Sequence, residues 1–145
     1  MPCAELMPSR EYQIVQLEEL EEVWEWLLPY VKKACKKDFN KFSPEDLKNL
    51  ILEDKMQLWL GTREGRKEFG IFTDIIQFPN KRIGRITVGM GFKPLDNLAF
   101  LALFEKWAKE EYGCEGVQSD IHLGFEGMFT KAGWKKTHIL MEKEI

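Results

Sequence analysis

The stretch Leu95–Tyr112 constrains the fold of this 145-residue chain more than any other. Leu98, Leu101, Ala102, Phe104, Trp107 and Ala108 recur at helical spacing and cover an arc too wide for a surface helix. Such a helix must lie largely buried, and a buried helix of this kind needs a sheet to lie on. The chain is long enough for that: a domain of this size buries roughly 68–70% of the surface its unfolded chain would expose. Hydrophobic residues at 44% and aromatic residues at 12% supply the core, while 31% charged residues and a net charge of −3 favour solubility. That net charge argues against nucleic acid as the partner of the whole chain.

The rest of the sequence supplies the sheet. After an arm over 1–11, Tyr12–Leu17 is short enough for a strand and opens a single domain over 12–145. From Glu18 the period changes: Leu20, Trp24, Leu27, Leu28, Val31 and Cys35 mark one helix face. Glutamates lead this helix and Lys32, Lys33, Lys36 and Lys37 close it, complementing its dipole, while Pro29 should kink or divide it. Ser43 followed by Pro44, Glu45 and Asp46 predicts a capped helix running to about Glu53. Met56–Thr62 and Phe69–Phe78 read as strands joined by the turn Arg63–Lys67. Arg82–Val88 reads as a third, interrupted by Gly89, Met90 and Gly91. Gly113 ends the long helix. Gly116–Asp120 is a short strand, Phe125–Ala132 a short helix stopped by Gly133, and Trp134–Glu144 a final strand.

Cys3, Cys35 and Cys114 are far apart and form no Cys-x-x-Cys pair, which suits reduced thiols in a cytoplasmic protein. With only His122 and His138 as imidazoles, no metal site is expected. The N-terminus lacks the basic start and apolar run of a signal peptide, and no segment approaches the ~20 apolar residues that span a bilayer.

The order of elements and the ending Met128-Phe129-Thr130-Lys131-Ala132-Gly133-Trp134 resemble the GNAT superfamily of acetyl-CoA-dependent N-acetyltransferases. Those enzymes often close with a short alanine-rich helix, a leucine-tyrosine-glutamate-lysine run, then glycine and an aromatic residue. A narrower resemblance is to small GNAT-like proteins of phages and prophages. It rests on Gln57-Leu58-Trp59, Thr73-Asp74-Ile75-Ile76-Gln77-Phe78-Pro79 and Gly133-Trp134-Lys135-Lys136-Thr137-His138. The resemblance implies an α/β (α+β) fold of the GNAT-like acyl-CoA N-acyltransferase type, with a mixed, mostly antiparallel sheet flanked by helices.

It also implies where chemistry would sit. The family's pyrophosphate loop corresponds to Val88–Asn97. Val88, Gly89, Gly91, Lys93 and Asn97 are the cofactor-binding candidates if acetyl-CoA binds. Ile86 stands where the loop's Arg or Gln belongs, and Pro94 withdraws one backbone donor. Otherwise the glycines serve as a turn. Phe129 replaces the tyrosine that often returns a proton to the leaving thiolate, and it has none to give. His122 stands where an asparagine is frequent, with Asp120 two positions earlier. As a base, Asp74 is the candidate, because a carboxylate flanked by Ile71, Phe72, Ile75 and Ile76 has a raised pKa if it points inward.

Two functions follow from the resemblance. One is a GNAT-fold module of phage or prophage origin whose transfer site has decayed, binding a virion or host protein. The other is an active N-acetyltransferase with a rebuilt site at His122 or Asp74. For the cofactor, acetyl-CoA and none remain equal alternatives. Trp24 and Trp26 cannot both face inward from one helix, and an exposed tryptophan favours a protein partner. The lysine group ending at Lys41 is read as a solvated helix end.

Overall fold

The computed structural model describes residues 10–37, 40–91, 98–120 and 126–145. Strand β1 (Glu11–Ile14) leads through a 3-10 turn at Leu17–Glu19 into α1 (Leu20–Lys37), and α2 (Pro44–Leu52) follows. The strands β2 (Gln57–Arg63), β3 (Arg66–Phe78) and β4 (Lys81–Gly91) form an antiparallel meander. Helix α3 (Leu98–Tyr112) then returns the chain to β5 (Gly116–Ser119), and α4 (Glu126–Lys131) precedes the terminal segment. The sheet order is β1-β2-β3-β4-β5, antiparallel except for the parallel pair β4–β5.

Two cores sit on opposite faces of this sheet. On one, Val23, Trp24, Leu27 and Val31 of α1 and Ile51 of α2 pack on Leu58, Leu60, Phe72 and Met90. On the other, Phe100, Leu101 and Phe104 of α3 and Phe129 of α4 pack on Trp59, Phe69, Ile71 and Ile86. The sheet demanded by the apolar helix is therefore present, but α3 is covered on one side only. Ala102 and Leu103 are exposed and Trp107 half-buried, because only one layer packs against the helix. Leu95–Asn97, expected as its first turn, lie outside the described residues.

Local signals act as their chemistry requires. Ser43 Oγ accepts the Asp46 N–H at 3.1 Å and Asp46 Oδ2 accepts the Ser43 N–H at 2.8 Å, closing a reciprocal cap. Pro29 does not divide α1, which runs helical from Leu20 to Lys37. Buried Leu27 and Val31 flank the proline and hold both halves against the sheet, outweighing the lost backbone bond. Trp24 is buried, whereas Trp26 is half-exposed and packs on Tyr30 with ring centroids 5.4 Å apart and planes tilted by 45°. Arg10, just before β1, is buried and donates from Nε to Glu68 Oε1 at 2.9 Å.

The turn expected over Arg63–Lys67 is only Glu64–Gly65, because Arg63↔Arg66 and Thr62↔Lys67 already pair in the β2–β3 ladder, and two further elements depart from expectation. The Gly89–Gly91 stretch does not interrupt β4, whose ladder with β3 continues to Phe69↔Gly91. The irregularity lies earlier, where Phe72 pairs with Val88 and Thr73 with Ile86, leaving Thr87 as an extra residue in β4. Trp134–Glu144 is not a strand: it runs without ladder partners among the described residues. Alternating side chains alone do not make a strand, because backbone donors and acceptors need a neighbour to pair with.

Candidate functional site

The parallel pair β4–β5 is short. Its register runs from Ile83↔Gly116 to Ile86↔Ser119, where Ser119 Oγ donates to the Ile86 carbonyl at 2.9 Å. Past this point β4 has no ladder partner on that side among the described residues, and its extra residue Thr87 turns the strand over. Ile86 packs in the α3-side core, whereas Val88 and Met90 pack toward α1. The Thr87 hydroxyl donates to the Phe72 carbonyl at 2.9 Å and pins the bulge. Bulges of this kind re-aim side chains and are frequent beside active sites.

Beside the β4–β5 pair lies a cleft of about 350 Å³. Arg85, Gln118 and Asp120 line it from the sheet, and Trp134, Lys135 and His138 from the terminal segment. Asp74 on β3 stands opposite Arg85 in the ladder. The Arg85 guanidinium donates to both carboxylate oxygens of Asp74, from Nε to Oδ1 at 2.9 Å and from an Nη to Oδ2 at 2.6 Å. This bidentate hydrogen bonding raises the Arg85 pKa, burial opposes it, and the charges of Asp74 and Asp120 add to it. Asp74 is thus the partner of a cation, each of its oxygens accepting one hydrogen bond from Arg85.

Phe129 has a structural task. Helix α4 ends with Gly133 N–H bonded to the Thr130 carbonyl at 3.0 Å and Trp134 N–H bonded to the Phe129 carbonyl at 3.0 Å. Gly133 has φ +89°, and the Phe129 and Trp134 rings meet edge to face at 4.9 Å. This is a Schellman cap with its apolar clasp, and it explains the phenylalanine, glycine and tryptophan together.

The other candidates divide. Val88 and Gly89 lie within β4 and Gly91 at its end, while Lys93, Asn97 and His122 lie outside the described residues. A side chain on Gly89 would begin 2.9 Å from the Phe69 ring, so the glycine answers to close packing rather than to the turn expected of it. Two residues went unnoticed as site members in the sequence. His138 reaches the cleft with Nδ1 2.9 Å from Thr137 Oγ1, and Arg85 reaches it across the sheet. Sequence proximity could not find them, since Arg85 is placed by register with Asp74 and His138 by the path of the chain beyond α4.

No family model and no curated protein matches the chain. Solved structures do match. An aminoglycoside acetyltransferase from an uncultured soil metagenomic sample, in complex with trehalose, superposes with a TM-score of 0.69 at 11% identity, covering 94% of this chain and 96% of its own. A GNAT family acetyltransferase of Staphylococcus aureus superposes with a TM-score of 0.64 and 15% identity, covering 94% of this chain and 99% of its own. The fold is that of the GNAT acetyltransferases. A Clostridium acetobutylicum predicted acetyltransferase solved with acetyl-CoA agrees at TM-score 0.64 and 14% identity, over 93% of this chain and 96% of its own.

The described cleft carries charges of both signs. Glu105 and Asp120 bring carboxylates to it, and Arg85 is paired with Asp74. The space beside Gly89 is filled by Phe69. Among the described residues no group of three His, Cys, Asp or Glu side chains is arranged to hold a metal ion, and no helix is long and apolar enough to cross a membrane.

Proposed function

We propose that this GNAT-fold protein is a binding module whose acetyl-transfer site has decayed, with a virion or host protein as its partner. The observation that carries the proposal is the fate of the two proton-transfer positions. Asp74 is held by both arms of Arg85, and position 129 is a buried phenylalanine clasped by Trp134. Proton transfer by a positioned side chain contributes about 10²- to 10⁴-fold to such reactions. Losing both positions removes the proton transfers that the fold would add to the chemical step. The phage or prophage origin rests on the three sequence matches at Gln57, Thr73 and Gly133.

The test is release of free coenzyme A thiol from acetyl-CoA across a panel of amines, combined with calorimetric titration of the cofactor. The expected result is release at the uncatalysed rate and no micromolar binding. Sustained turnover on any amine overturns the proposal.

His138 favours a second reading, an active N-acetyltransferase with a rebuilt site. It brings an imidazole into the cleft that holds Asp120 and Arg85, and imidazole transfers protons near neutral pH. On this reading the His138→Ala variant loses turnover that the wild type shows; an inactive wild type excludes it.

A further inference from the structure

The terminal segment exposes Ile139 (77%), Leu140 (59%) and Met141 (86%) in succession. Adjacent apolar side chains this exposed mark an interaction surface more often than a solvated one. From Lys135 onward the backbone has no ladder partner among the described residues, so it offers unpaired donors and acceptors beside that apolar run. We infer that residues 135–144 pair antiparallel with the same segment of a second copy, with Leu140 on the two-fold axis.

Charge complementarity selects this occupant and this register. With Leu140 opposite itself, Lys136 faces Glu144 and His138 faces Glu142, twice each by symmetry. On the other face Ile139 meets Met141 and Thr137 meets Lys143, also twice each, so apolar pairs hold the centre of both faces while the opposite charges close the Leu140 face. Other registers centred within Ile139–Met141 do worse. A shift of one residue opposes Lys136 with Lys143, or Ile139 with Glu142; a shift of two opposes Lys135, or Ile139, with Lys143. The segment's present ion pairs, Lys136 with Glu126 at 2.8 Å and Glu142 with Lys41, are surface contacts worth about 0–1 kcal/mol each and exchange readily.

A ribbon of this length buries less than the ~1,200 Å² of a standard interface, so the association depends on concentration. Sedimentation equilibrium of the full chain tests it. The expected result is a monomer–dimer equilibrium reaching twice 17.1 kDa. Leu140→Lys should weaken the dimer at least tenfold, with circular dichroism unchanged because position 140 is exposed. Lys136→Glu should weaken it as well, and adding Glu144→Lys should restore it. A wild type that stays monomeric up to about 1 mM overturns the inference. So does a dimer indifferent to Leu140→Lys, or a charge exchange that fails to rescue. None of these outcomes depends on whether acetyl-CoA binds.

Discussion

Thr73 shows how a single residue holds two strands in one register. It is fully buried, its hydroxyl accepts the Trp59 indole N–H at 2.9 Å, and it donates to Gln57 Oε1 at 2.9 Å. A Thr73→Val variant keeps the shape but strands both partners, and an orphaned buried polar group costs about 1–3 kcal/mol. The expected result is a lower urea midpoint with an unchanged slope. Asp46 offers a test by pH. Hydrogen bonds from Ser43, the backbone N–H foremost, hold its carboxyl below the ordinary value of 3.8. Because the folded value is depressed, its stabilisation is present above pH 3.8 and is lost as pH falls through the folded value. The stability difference between wild type and Asp46→Asn should therefore shrink with acidification below that point, as followed by thermal unfolding. Both of these contacts differ in how far the sequence reveals them. The Ser43 cap is local and legible, whereas the Trp59–Thr73–Gln57 chain depends on cross-strand register and is not.

At the scale of elements, helices were legible where caps and periodicity coincide, as in α2, and strands where a neighbour follows in sequence, as in β2 and β3. The extent of β4 was not, because its glycines suggest a break while the actual irregularity is the extra residue Thr87. Nor was the fate of Trp134–Glu144, since alternation reports which face a side chain prefers but not whether a ladder partner is available. The end of α4 was legible in part: Gly133 stops the helix as expected. What the sequence did not disclose is that Phe129 and Trp134 form the clasp over that glycine. Substituting Gly133→Ala at φ +89° should cost about 1–2 kcal/mol and loosen the clasp. Thermal unfolding together with tryptophan fluorescence would register both effects.

For the whole molecule, a buried helix demanded a sheet, and the sheet that forms is the mixed five-stranded one with helices on both faces. The fold was thus readable from hydrophobic pattern and order of elements. The site was less so, because Asp74, Arg85 and His138 are brought together by register and chain path over separations that no motif spans. These placements support the proposal that the GNAT fold is kept here without a working acetyl-transfer site. Calorimetric titration of the wild-type protein with acetyl-CoA tests it most directly. The expected result is no saturable binding in the micromolar range; a saturable micromolar isotherm overturns the proposal.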